Sequence, residues 1–328
     1  MVIKPVLALM GPTASGKTAL AERLAEHVDG ELISVDSALT YRGLSIGAAK
    51  PEYPHHLIHI RDPLEHYTAA DFASDAKRCI DDVRARGRHP ILVGGSMLYF
   101  RALLQGFHGV PAVDLSVRAD IEAEAQVKGW PALHQELMLV DPKIAERLHP
   151  NHSQRICRAL EVYRGTGIPL SQWQRGTSAP ATERYECIAL CPRDRSDLHA
   201  RIELRLDAMF QNGLLEEVKA LYDRGNLHTG LPAIRAVGYR QVWAYLEGEV
   251  SLEECRARAL AATRQLAKRQ LTWLRSWPDL VWLFTDQNGE LLERPPAHTH
   301  REGSSPNGGG GEASQSWYEL ICELMRNF

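Results

Sequence analysis

Short apolar runs alternate with stretches of helical period over the first hundred residues. Val6-Leu7-Ala8-Leu9-Met10, Glu31 to Val35 and Pro90 to Val93 read as strands, and 17–28, 70–86 and 97–104 read as the helices between them. Such alternation predicts a parallel sheet with helices on its faces. From 112 to 185 the strand signal vanishes. Four helical patterns remain at 116–127, 131–139, 142–148 and 153–165, punctuated by Pro111, Gly129, Pro142, Pro150 and Gly165-Thr166-Gly167, which predicts an inserted all-helical subdomain. Glu186 to Cys191 predicts one more strand, and 196–212, 214–224, 238–247 and 251–276 predict helices that return to the core.

After Trp282-Leu283-Phe284 the composition changes. Residues 286–316, with Ser304-Ser305-Pro306-Asn307 and Gly308 to Gly311, carry too little apolar surface to fold. The last dozen residues could form a short amphipathic helix with Tyr318, Ile321, Leu324 and Met325 on one face. The expected organisation is therefore a discontinuous α/β core over 1–111 and 186–285, a helical insertion over 112–185 and a disordered tail over 286–328.

Composition narrows the class. The chain has 328 residues, 44% hydrophobic and 24% charged, with no apolar run near the length of a membrane span and no N-terminal leader pattern, so a cytoplasmic enzyme with no membrane contact is expected. Cys79, Cys157, Cys187, Cys191, Cys255 and Cys322 are scattered and read as reduced, packed thiols. His55, His56 and His59 match no zinc spacing. A formal net charge of −3 excludes a general polyanion binder, so any nucleic-acid contact must come from local patches.

The sharpest chemical signal is Gly11-Pro12-Thr13-Ala14-Ser15-Gly16-Lys17-Thr18, which follows the first strand and opens the first helix. Gly11 and Gly16 let the backbone turn so that N–H groups face phosphate oxygens, Lys17 adds a point charge, and Thr18 offers a hydroxyl to Mg²⁺. Asp36 stands at the carboxyl end of the second strand, where ligands of such sheets sit. It can serve as a water-mediated Mg²⁺ ligand, a general base or a cap for the following turn. The third strand ends in Gly94-Gly95-Ser96, without the acidic residue that holds Mg²⁺ in motor-type hydrolases.

Arg205 falls on the apolar face formed by Leu198, Ile202 and Met209, so it must be paired: either in a buried salt bridge or with a phosphate in the cleft. Arg264, Lys268 and Arg275 form a stripe that reads either as a solvated face or as a track for a phosphate backbone, with Lys219, Arg235 and Arg240 nearby. In the insertion, Gln154 and Arg158 lie opposite the packed face of Ile156, Leu160 and Tyr163, where they can read bases.

In order along 1–285, GPTASGKT, ELISVDSALTYRGLSIGAAKP (31–51), IRDP (60–63), LVGGSMLYFRALL (92–104), RALEVY (158–163), LPAIRAVGYRQVW (231–243) and TRQLAKRQLTWLR (263–275) resemble the bacterial tRNA dimethylallyltransferases. The segment between Pro51 and His55 is shorter than usual for that family. The resemblance implies a P-loop NTPase-like fold. It also implies transfer of a dimethylallyl group from dimethylallyl diphosphate to the exocyclic amine of the adenosine 3′-adjacent to the anticodon, in tRNAs reading codons that begin with U.

By the same resemblance, Gly11 to Thr18 and Arg205 would hold the diphosphate, Thr18 would help to hold Mg²⁺, and Asp36 would take the amine proton. Asp36, Ser37, Ala38, Leu39, Ser96, Arg118, Gln154, Arg155, Ile156, Cys157, Arg158, Arg235, Gly238, Tyr239, Arg240, Lys268, Arg269, Gln270 and Arg275 would contact the anticodon stem-loop. The chain would act as a monomer. An adenylate isopentenyltransferase and a P-loop small-molecule kinase are the rival enzymes, and a non-enzymatic RNA-binding module the third class.

Overall fold

The computed structural model describes residues 5–106, 113–174, 183–292 and 317–326. The chain starts with β1 (Val6–Met10), α1 (Lys17–Val28), β2 (Gly30–Val35), β3 (His55–His56), α2 (Ala69–Ala85), β4 (His89–Gly94) and α3 (Met97–Leu104). Five helices follow: α4 (Leu115–Lys128), α5 (Trp130–Val140), α6 (Pro142–Ala145), α7 (Ser153–Thr166) and α8 (Leu170–Trp173). Then come β5 (Tyr185–Pro192), α9 (Arg195–Gln211), α10 (Leu214–Tyr222), α11 (Tyr239–Leu246), α12 (Leu252–Arg275), β6 (Val281–Thr285) and α13 (Trp317–Arg326). Two compact units result, Met1–Leu104 with Thr182–Phe328, and Gln105–Ala181.

The first unit is built on a six-stranded parallel sheet in the order β3-β2-β4-β1-β5-β6. β1 is central, with Leu9 opposite Val93 of β4 on one side and Ile188 of β5 on the other. The two-residue period of the strands divides the core. Val6, Ala8 and Met10 face one layer with Phe72, Phe100, Leu214, Val218 and Tyr239, whereas Leu7 and Leu9 face Leu20, Ala21, Leu24 and Ala25 of α1. Each of these apolar side chains is removed from water, worth about 1.5–3 kcal/mol for a residue the size of leucine. The carboxyl edge of the sheet is left for loops.

That edge is unusually close. A Cβ at Gly94 would lie 2.1 Å from the Val35 carbonyl oxygen, so β2 and β4 can meet there only without a side chain at 94. α2 starts with a capping box between Thr68 and Asp71, and α12 with Ser251 accepting from the Glu254 N–H.

The helical unit has its own core of Ile121, Leu133, Leu137, Ile156, Cys157 and Leu160. Asp141 is buried at its centre, accepting from the Ile144 and Ser171 N–H groups at 3.3 and 2.8 Å. His134 Nε2 faces the carbonyls of Ala145 and Leu148, both at 3.0 Å, so this nitrogen carries the proton.

The described part of the tail is ordered over 286–292, against the expected disorder, and forms a short helix at Trp317–Arg326, as the apolar face of the last dozen residues suggested. Glu290 and Leu292 bond back to Asp286 and Phe284, and α13 buries Ile321 and Cys322 among the α1-side residues of the sheet. A short apolar face is enough to order a segment when a ready-made apolar surface receives it. The glycine-rich stretch expected to be disordered lies outside the described residues.

Candidate active site

Loop 11–16 owes its shape to positive backbone angles. Gly16 has φ of 90° and Ala14 of 62°, an uncommon angle for a residue with a side chain. A Cβ at Gly11 would lie 2.6 Å from the Leu190 carbonyl oxygen, so glycine is also required where the loop leaves β1. Two loop N–H groups are already engaged: Thr13 donates to Gln270 Oε1 at 2.9 Å, and Ser15 to the Pro12 carbonyl at 3.3 Å. Among the described residues, no partner is found for the N–H groups of Ala14, Gly16, Lys17 and Thr18, which form the anion-facing set at the start of α1. The Thr13 and Ser15 amides are instead spent on the loop's own framework.

Lys17 Nζ rests on the Pro12 carbonyl at 3.1 Å. Burial, and after it the Arg205 guanidinium, lower the Lys17 ammonium from its ordinary value to about 8. Arg205 projects from α9 beside Leu206, and its Nη1 donates to Thr13 Oγ1 at 3.3 Å. No carboxylate among the described residues lies within salt-bridge distance of it, which decides against the buried ion pair left open by the sequence. Burial lowers its pKa from the ordinary guanidinium value, with Asp36 opposing.

Asp36 is both a cap and a free acceptor. Oδ1 accepts from the Ala38 and Leu39 N–H groups at 2.8 and 3.2 Å, and no donor is found for Oδ2 among the described residues. Ser96 Oγ holds the next residue by accepting from the Ser37 N–H at 3.0 Å.

These groups share a cavity of about 580 Å³. Thr13, Lys17, Thr18, Asp36 and Arg205 give it a charged end; Met97 and Leu98 of α3, Ile202, Leu206 and Met209 of α9, and Leu266 and Trp273 of α12 give it an apolar wall. Such a space accepts a ligand with an anionic head and a short hydrocarbon chain.

Comparison with known proteins decides the family. The family described as IPP transferase matches residues 39–277. A protein of Hahella chejuensis (strain KCTC 2396) named tRNA dimethylallyltransferase 2 is 52% identical over 311 residues, covering 89% of this chain and 93% of that one. The chain belongs to the IPP transferase family. Solved structures agree with that family assignment. A tRNA isopentenylpyrophosphate transferase of Bacillus halodurans shares 38% identity at a TM-score of 0.62, over 87% of this chain and 90% of that one. A eukaryotic dimethylallyltransferase described as acting on tRNA shares 27% at a TM-score of 0.70, over 83% and 70%.

Of the other residues expected to act in this IPP transferase, Ser37, Ala38, Leu39, Ser96, Arg235, Gly238 and Arg269 also line the cavity. The remaining residues expected at the tRNA lie in different settings. Tyr239 is fully buried with its hydroxyl donating to Glu217 at 2.6 Å, and Ile156 and Cys157 are packed inside the helical unit, so their side chains cannot meet RNA. Gln270 lines the cavity but is largely buried, holding Thr13 and Gly95. Arg240, Lys268 and Arg275 are exposed and lie off the cavity. The stripe has a reason for this. On α12, Thr263, Leu266, Arg269, Gln270 and Trp273 face the cavity, and Arg264, Lys268 and Arg275 fall about half a turn away on the helical wheel. Arg264 is paired with Glu203 at 2.9 Å.

Two anchors escaped sequence reading. Glu217 accepts from the N–H groups of Ser45, Ile46 and Gly47 at 2.9, 2.7 and 3.0 Å as well as from Tyr239, and so fixes the segment that becomes the cavity wall at Gly47 to Ala49. Glu161 receives Arg158 at 2.6 Å and Arg118 at 3.4 Å in the helical unit. The Arg158–Glu161 pair has the three-residue spacing of a helix and could be read locally, but the Arg118 contact and every partner of Glu217 come from distant segments.

A divalent cation fits the first unit through oxygen donors alone. No group of three metal-ligating side chains occurs among the described residues. The cavity offers the Thr18 hydroxyl and the Asp36 carboxylate, and a phosphate ligand and water would complete the shell. Hard, sparse donors of this kind suit Mg²⁺ rather than zinc.

Proposed function

We propose a division of labour for the prenyl transfer to tRNA that this chain catalyses. The N–H groups of Ala14, Gly16, Lys17 and Thr18, with Lys17 and Arg205, grip the diphosphate of dimethylallyl diphosphate. The apolar wall holds its five-carbon chain. The exocyclic amine of the adenosine 3′-adjacent to the anticodon attacks the allylic carbon, the C–N bond forms as the C–O bond breaks, and pyrophosphate leaves intact. Asp36 Oδ2 accepts the amine proton as the bond forms, since a carboxylate is too weak a base to ionise the amine beforehand.

Adenine's amine is a poor nucleophile, so the barrier falls mainly by stabilising the leaving group. Fixed donors aimed at the developing charge serve that end. Mg²⁺ bound by Thr18 and the diphosphate would neutralise part of that charge. The target base must leave its stack to reach a cavity at the sheet edge. The helical unit, through Arg118, Gln154, Arg155 and Arg158, holds the anticodon stem-loop of tRNAs reading codons that begin with U. One chain supplies the whole cavity, which supports a monomer, and a tRNA substrate supports a cytoplasmic setting. No described helix is long and apolar enough to cross a membrane.

The observation that carries this reading is the shared cavity, with its anion grip, apolar wall and one unengaged carboxylate oxygen. The test offers the protein Mg²⁺ and dimethylallyl diphosphate with unmodified tRNA, AMP, or ATP plus small acceptors. Prenylated adenosine is expected in tRNA alone. Prenylated AMP, or phosphoryl transfer from ATP, overturns the reading.

A further inference from the structure

Gln270 is buried on a helix whose adjacent residues Lys268 and Arg269 are exposed. Both ends of its amide are committed. Oε1 accepts from the Thr13 N–H at 2.9 Å, and Nε2 donates to the Gly95 carbonyl at 2.9 Å. The seat is close-fitting: a Cβ at Gly95 would lie 2.4 Å from Gln270 Nε2. The same Thr13 presents its hydroxyl to Arg205.

We infer that Gln270 is a positioning residue for the transfer reaction, fixing Thr13 of the phosphate loop against the end of β4 and thereby setting where Arg205 meets the leaving diphosphate. The chemistry of the seat is restrictive. Thr13 requires an acceptor and Gly95 a donor, and a flipped amide would set N–H against N–H and oxygen against oxygen. Ionised glutamate satisfies Thr13 but places negative charge against the Gly95 carbonyl and beside an anion site. Protonated glutamate restores both bonds. Leucine restores neither and leaves two buried backbone groups unpaired.

The inference deepens the proposed function and rests on it. Its test compares Gln270→Glu and Gln270→Leu with wild type at pH 6 and pH 8.5, reading pyrophosphate affinity by calorimetry and KM for each substrate. The charged groups lining the same cavity, Lys17, Asp36, Arg205, Arg235 and Arg269, and the titratable His55, are common to all three proteins, so each variant is read as a ratio to wild type at the same pH. Q270E should bind pyrophosphate about tenfold more weakly at pH 8.5 and within about twofold of wild type at pH 6, because burial raises the pKa of a carboxyl group. Its KM for dimethylallyl diphosphate should follow, with KM for tRNA unchanged. Q270L should be weak at both pH values. A pH-independent loss in Q270E, a change in KM for tRNA alone, or loss of the folded state in both variants overturns the inference. Wild-type protein that binds pyrophosphate yet prenylates nothing overturns the proposed function instead, and the pH contrast in pyrophosphate binding still decides the role of Gln270.

Discussion

In the proposed reaction two side chains, Asp36 and Lys17, make separable predictions. Replacing Asp36 by alanine removes the proton acceptor and the cap together, whereas asparagine keeps an oxygen for the Ala38 and Leu39 amides. Turnover should fall in both variants by about 10²-fold or more with tRNA affinity little changed; an equal loss in both quantities, measured by single-turnover kinetics and filter binding, would make Asp36 a binding residue. Lys17 predicts a pH dependence. With its free-site value at about 8 and a charged partner once diphosphate binds, binding takes up a proton above that pH. Pyrophosphate affinity should therefore fall as pH rises from 7 to 9. Lys17→Arg, which does not titrate, should lack that component, so the ratio of the two proteins isolates it from the titration of pyrophosphate itself. A ratio constant across the range contradicts the assignment. Asp36 and Lys17 stand out in the sequence because one follows a strand end and the other a glycine-rich turn, whereas Arg205 stands out only as a charge on an apolar helical face. The helical period of α12 already sets Gln270 with the inward-packing Ala267 and Leu274, but its partners Thr13 and Gly95 lie far away in sequence and only the tertiary structure supplies them.

At the scale of elements, strands and helices with clear periodicity were legible, and short ones were not. β3 has two half-buried histidines and pairs with β2 over two residues, too few for any alternation to show. α8 is a single four-residue turn. β6 was seen only as a change in composition, although Leu283 and Thr285 face inward on it. The cavity wall depends on contacts between elements. Glu217 on α10 gathers three amides of the 45–47 segment and the Tyr239 hydroxyl of α11, and an amide side chain would turn a donor toward at least one donor. Glu217→Gln should lower unfolding free energy by about 1–3 kcal/mol and raise KM for dimethylallyl diphosphate; a change under about 0.5 kcal/mol in urea melts would show the cage to be dispensable. Gly94→Ala should be worse folded still, because its methyl group meets the Val35 carbonyl.

At the scale of the whole molecule, the chain forms two compact units, and the phosphate loop and its cavity belong entirely to the first. Exposed Lys268, Arg269 and Arg275 on α12 should meet RNA phosphates, whereas Arg264 is held by Glu203. Replacing the first three by alanine should weaken tRNA binding and reduce its salt slope by about 1 for each phosphate that is no longer neutralised, and replacing Arg264 alone should not. An unchanged slope would make α12 a solvated face. The family's motifs made the fold and the phosphate loop readable, but they do not say which face of a helix a basic residue occupies. The central claim is that the loop grips a leaving group and does not cleave it. Dimethylallyl diphosphate labelled in its phosphates, incubated with the protein, Mg²⁺ and unmodified tRNA, tests that most directly. One intact pyrophosphate should appear for each prenylated adenosine, and none without tRNA; release of orthophosphate, or of pyrophosphate in the absence of tRNA, would contradict it.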